Sequence, residues 1–140
     1  MRLEDISLKS IQKLIPELLE IREESYEDRL REHAAVYTLF SVLYAQSLKM
    51  QTEAENDLDS LMATKTKEAK DSSPKKLTVA DTTAIIDSDT EIIGSKQKFN
   101  EMSYKVNLLK GLLKGLDHQK DCLVQISANK RKEKDLYLNN

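Results

Sequence analysis

The 140-residue chain has 39 % apolar and 33 % charged residues, a net charge of −2, three Gly, two Pro, one Cys and no Trp. So few turn formers and aromatics exclude a sheet-rich fold, and the low apolar content excludes a large self-sufficient core. The composition fits one domain or two helical lobes of long, solvent-exposed helices that complete their thin cores by association.

The net charge hides a strong asymmetry. Residues 1–59 hold seven Lys/Arg against thirteen Asp/Glu, and residues 60–76 hold five against two. Residues 77–95 hold no cation against four acids, and residues 96–134 hold ten cations against four acids. An acidic first half thus precedes a basic last segment. Either the halves pair with each other, within or between subunits, or the basic segments meet a polyanion.

In chain order, Ile6, Ile11, Leu14 and Ile15 outline a helical turn or two that Pro16 is expected to interrupt, with a new helix from about Glu17. Residues 27–70 read as one long helix, since no Gly or Pro occurs between Pro16 and Pro74. Its stretch Ala34–Ala45, which includes Val36, Phe40 and Leu43, is apolar nearly all round. A helix apolar on every side is buried on every side, so a subunit interface is expected there. Residues 71–78 form the linker: Pro74 disfavours helical geometry at Ser73, and basic Lys65, Lys67, Lys70, Lys75 and Lys76 cluster around it. Thr78-Val79-Ala80-Asp81 and Ser88-Asp89-Thr90-Glu91 resemble capping boxes. They predict a short helix over 79–86 and a long one from Asp89 to about Lys134. The organisation expected is therefore a helical segment 1–70, a linker 71–78 and a helical segment 79–140.

The last helix carries the most ordered pattern. Phe99, Met102, Val106, Leu109, Leu113, Leu116 and Leu123 are spaced three, four, three, four, three and seven residues apart. This is a coiled-coil seam, with polar Lys120 and Ser127 at later seam positions. An isolated stripe of this kind needs a partner helix. The fold expected is all-α, an antiparallel helical hairpin or bundle that oligomerises through Phe99–Leu123 and Val36, Phe40 and Leu43.

Catalytic signatures are lacking. The glycines Gly94, Gly111 and Gly115 lie within the last helix rather than in a phosphate-binding loop. Neither His33 nor His118 has a metal-ligand spacing partner, and Cys122 has no local base, so it reads as a partly buried neutral thiol. No metal and no cofactor is expected, and no enzyme. Gly111 and Gly115 beside Lys110 and Lys114 leave room for a close approach by another backbone or a phosphate. Lys130, Arg131, Lys132 and Lys134 crowd the helix end, where cations also suit the helix dipole. The tyrosines Tyr26, Tyr37, Tyr44, Tyr104 and Tyr137 fall mostly on faces that read as buried, so no base-stacking platform is evident. A lone cysteine, no apolar run long enough to span a membrane and an acidic start, Met1-Arg2-Leu3-Glu4-Asp5, point to the cytoplasm.

The opening Met1–Asp5, the long helix ending in a basic linker, Lys76-Leu77-Thr78-Val79-Ala80-Asp81, Asp87-Ser88-Asp89, Leu108-Leu109-Lys110-Gly111-Leu112 and Lys120-Asp121-Cys122-Leu123-Val124-Gln125 form a recognisable layout. In length and motif order the chain resembles the UvsY family of bacteriophage recombination mediators, most specifically over residues 76–132. The resemblance implies an all-α, ring-like homo-oligomer without catalytic activity. It would bind single-stranded DNA and help a RecA-like recombinase displace single-strand-binding protein, in the host cytoplasm. It also implies self-association through the C-terminal helix and a basic DNA-contacting patch late in the central helix. By position that patch falls at Glu55-Asn56-Asp57-Leu58-Asp59, which is acidic here. DNA contacts are therefore expected at Lys65, Lys67, Lys70, Lys75 and Lys76, or at Lys110, Lys114, Lys130, Arg131 and Lys132 of the last helix. The alternative from composition alone is a helical scaffold or adaptor that oligomerises and binds a protein partner.

Overall fold

The computed structural model describes residues 8–139. These residues form four α-helices: α1 (Leu8–Leu19), α2 (Tyr26–Ser72), α3 (Val79–Asp87) and α4 (Thr90–Leu138), with a 3₁₀ turn, Glu23–Ser25, before α2. No strand occurs among the described residues. The all-α expectation is met, and the expected boundaries of α2, α3 and the start of α4 hold within two residues.

Local chemistry accounts for these boundaries. Thr78 caps α3: its hydroxyl oxygen accepts from the Asp81 backbone N–H at 3.1 Å, and the Asp81 carboxylate accepts from the Thr78 N–H at 3.3 Å. At the start of α4 the Asp89 carboxylate accepts from the N–H groups of Glu91 at 2.9 Å and Ile92 at 3.2 Å. Glu91 does not reach back to the cap as a full capping box requires. Its carboxylate instead lies 3.4 Å from Lys65 Nζ.

Two compact units are present. One comprises the described residues up to Gln46 together with those from Asn107 on; the other is Ser47–Val106. This division cuts across α2 and α4 and differs from the expected split at the linker, because each long helix contributes to both units. In the first unit α2 and α4 run antiparallel, with His33 Nε2 hydrogen-bonded to the Leu116 carbonyl at 2.8 Å. Its core holds Ile11 of α1, Phe40 and Leu43 of α2, and Leu109, Leu112, Leu116 and Leu123 of α4, each at most 3 % exposed. In the second unit Gln51 donates to Ser103 Oγ at 2.9 Å, while Lys65 lies 3.4 Å from Asp89, so the helices again run antiparallel. Its core is smaller: Ala54, Ile86, Ile92, Met102 and Val106.

Several expectations need correction. Met102, Val106, Leu109, Leu116, Leu123, Phe40 and Leu43 are buried within the chain, and Phe99, Leu113 and Val36 are half-buried. The seam is filled by the chain's own helices, so the buried residues cannot face a second copy unless the hairpin opens, and only the half-buried Phe99, Leu113 and Val36 keep surface for one. The buried series also runs through Leu112 and Gln119 rather than Leu113 and Lys120. Pro16 lies inside α1, which continues to Leu19, and no helix starts at Glu17. Ala34–Ala45 is not covered all round: Leu39 and Val42 are 39 % and 49 % exposed, and Ala34, Ala35 and Ala45 are exposed with them. Cys122 is exposed rather than partly buried. Met1–Asp5 and Ile6 lie outside the described residues.

α1 is fixed by side chains from the other helices of its unit. Gln119, 5 % exposed, donates through Nε2 to the Leu18 carbonyl at 2.7 Å and the Glu20 carbonyl at 3.3 Å. Arg29 donates to the Glu17 carbonyl at 3.1 Å. These are the carbonyls that a helix end leaves without intrahelical partners. A Cβ placed on Gly115 would come within 2.8 Å of Leu19 Cδ1, so this glycine admits α1. Gly111 has nothing within 4 Å of that position.

Candidate nucleic-acid interface

The cations named from the sequence fall into separate groups. Lys65 is committed to the fold. Its ammonium lies 3.4 Å from both Asp89 and Glu91 and 4.0 Å from Glu68, and its side chain is 21 % exposed. Partial burial acts to lower its pKa, but the two carboxylates outweigh that and raise it. Burial likewise acts to raise the Asp89 pKa, yet the Ile92 and Glu91 N–H groups and Lys65 bring it below the ordinary carboxylate value. Lys65 is thus a tie within the second unit, which corrects its assignment to DNA contact.

Lys70, Lys75 and Lys76 come together at the linker. With Thr66, Leu77, Val79, Thr82, Thr83 and Ile86 they line a cleft of about 580 Å³. Every charged side chain lining it is a lysine, and none of the three is in an ion pair among the described residues. Lys67 is exposed on α2 and does not line the cleft.

Lys110 and Lys114 are exposed one turn apart on α4. The close approach expected of the adjacent glycines is made at Gly115 by Leu19 and not at Gly111.

The last turns of α4 build a second concavity, in the first unit. Ser127, Lys130, Arg131, Glu133, Lys134 and Tyr137 line a groove of about 560 Å³ with Tyr26 and Glu27 of α2. Lys130, Lys134 and Tyr137 are spaced four and three residues apart, which stacks them on one helical face, and Arg131 lies beside Lys134 at a spacing of three. Both acids in the groove are engaged. Glu133 lies 3.8 Å from Lys130, and Glu27 accepts from the Tyr26 hydroxyl at 3.1 Å. Arg131 and Lys134 have no ion pair among the described residues. Burial raises the Tyr26 pKa, the Glu27 hydrogen bond and charge add to it, and Arg131 acts in the opposite direction. The phenol therefore stays neutral at pH 7. Tyr137 is 85 % exposed. Lys132 is exposed on the opposite side of α4 and does not line the groove.

Two tyrosines beside unpaired cations are what sequence-independent binding of a single strand uses. Aromatic faces stack on bases while cations follow the phosphates. The spacing of Lys130, Arg131, Lys134 and Tyr137 was visible in the sequence. Their meeting with Tyr26, more than a hundred positions earlier, was not.

Glu55, Asn56, Asp57 and Asp59 are exposed on α2, so this acidic stretch faces solvent. No cluster of potential metal ligands occurs among the described residues, and none of their helices is long and apolar enough to cross a membrane. No protein-family model, curated protein or solved structure matches the chain.

Proposed function

We propose that this chain is a non-catalytic, self-associating accessory protein of DNA recombination that binds single-stranded DNA in the host cytoplasm. It acts as a mediator that helps load a RecA-like recombinase onto strands covered by single-strand-binding protein. The observation that supports DNA binding is the groove where Tyr26 and Tyr137 flank Arg131 and Lys134. The recombinase and the single-strand-binding protein enter through the sequence resemblance over residues 76–132.

One groove is a weak site, and repetition makes it useful. Copies held together offer one strand several grooves at once, and avidity rises without any new contact. With the seam filled internally, the outer face of α2 is the surface that supports association. Ala35, Leu39, Val42 and Ala45 lie exposed there, and no residue from Ala34 to Leu48 is charged. Sedimentation equilibrium with and without a poly(dT) oligonucleotide tests both parts. The reading predicts an oligomer that takes up the oligonucleotide at low salt and releases it as salt rises. A monomer with unchanged mass in the presence of DNA at low salt would contradict it.

A further inference from the structure

We infer that the cleft at the linker, in the second unit, is a docking site for an acidic peptide of a partner protein that carries an apolar anchor residue. This goes beyond DNA binding and does not rest on it. The cleft joins two features that a phosphate site does not need together. Its rim is cationic, formed by Lys70, Lys75 and Lys76. Its floor is apolar, with Ile86 at 7 % exposure and Leu77 half-buried, and Val79 stands 85 % exposed at the edge.

The hydroxyl groups in the cleft are not offered to a ligand as donors. Thr66, Thr82 and Thr83 donate to the carbonyls of Met62, Thr78 and Val79 at 2.7, 3.0 and 2.9 Å. With their protons committed to these carbonyls, the threonines have no O–H left to give a phosphate. The start of α3, where an anion would otherwise be drawn, already holds the Asp81 carboxylate. No aromatic ring lines the cleft, so a nucleobase has nothing to stack on. A volume of about 580 Å³ accommodates one or two aliphatic side chains with backbone. The lysines then lie where carboxylates flanking that anchor would fall. Charge complementarity selects an acidic segment, and the floor selects one that is not merely acidic.

The test uses the full-length protein and a fluorescein-labelled peptide of glutamates and aspartates with two central leucines. A second peptide has serines in place of the leucines, and a poly(dT) oligonucleotide serves as competitor. The leucine peptide is expected to bind about tenfold more tightly than the serine peptide, the effect of burying an aliphatic side chain. The Lys70→Gln/Lys75→Gln/Lys76→Gln variant and the single Val79→Asp variant should each weaken the leucine peptide about tenfold. Both alter exposed positions, and circular dichroism checks that the helices persist. Arg131→Ala should leave peptide binding unchanged. Three outcomes overturn the inference: equal binding of the two peptides, no binding up to about 100 µM at low salt, or loss of poly(dT) binding, rather than peptide binding, in the triple lysine variant. Failure of poly(dT) to bind the wild-type protein would contradict the proposed function and leave this docking result standing on its own data.

Discussion

The two compact units use the same two helices and are held together differently. The first buries seven large apolar side chains, and its polar contacts run from Gln119, Arg29 and His33 to backbone carbonyls. The second buries fewer, and its ties run between side chains: Gln51 to Ser103, Lys65 to Asp89 and Glu91, Lys96 to Asp87. Each unit also carries its own basic cluster, one with tyrosines and one with an aliphatic floor. One heptad-like stripe has thus been used for two kinds of packing. The difference follows from what joins the hairpin. In the first unit α1 brings the buried Ile11 and carbonyl ends that other helices' side chains satisfy. In the second α3 brings a capped, acidic start.

The largest expected effect lies in the first unit. Leu116→Ala removes a side chain that is 1 % exposed, at a cost of about 2–5 kcal/mol in urea unfolding followed by circular dichroism. A loss under about 0.5 kcal/mol would show that the first unit's aliphatic core is not what holds it. Gln119→Ala should cost about 1–3 kcal/mol, because it leaves α1 carbonyls without a donor. Hydrogen exchange should then rise in α1 before it rises in the second unit, and uniform exchange would break the comparison.

The two glycines separate a packed position from an open one. Gly111→Ala should stabilise by about 1 kcal/mol, since nothing obstructs the added methyl group. Gly115→Ala should gain less or lose, because the Leu19 side chain must move. Equal gains in melting temperature would mean that α1 does not use Gly115.

The smallest effect is electrostatic and belongs to the second unit. Lys65→Gln should lower the melting temperature slightly, and added salt should shrink the difference. Asp89 adds a pH dependence. Its folded pKa lies below the unfolded one, so its contribution is complete above about pH 4 and is lost as pH falls through the folded value. Asp89→Asn should flatten the acid limb of a stability–pH profile, whereas an unchanged limb would remove Asp89 from the account.

Much of the fold was legible because its signals are local. The cap sequences at Thr78 and Asp89 place two helix starts by themselves, and the absence of Gly and Pro carries α2 across its length. The register of α4 was legible through Met102, Val106, Leu109, Leu116 and Leu123. It then departs by one residue at Leu112 and Gln119, toward the side where Gly115 and Gln119 meet α1. No spacing rule within α4 contains α1, so that shift could not be read from the stripe. Burial from both sides at Ala34–Ala45 failed for a similar reason, since composition does not say which face the chain itself covers. Lys65 looked like its neighbours in the sequence, and only the approach of Asp89 and Glu91 distinguishes it. The groove needed Tyr26 and Arg131 on one concavity, a pairing of distant positions that local patterns do not encode.

The central claim is that the tyrosine-bearing groove, and not the linker cleft, receives single-stranded DNA. Fluorescence anisotropy with labelled poly(dT) over a salt series tests it on three proteins: wild type, Arg131→Ala/Lys134→Ala, and Lys70→Gln/Lys75→Gln/Lys76→Gln. The groove variant should lose about tenfold or more in affinity at low salt, and its log–log salt slope should fall by about 0.7 for each cation removed. The cleft variant should stay near wild type. Wild-type binding by the groove variant, with loss confined to the cleft variant, would contradict the account.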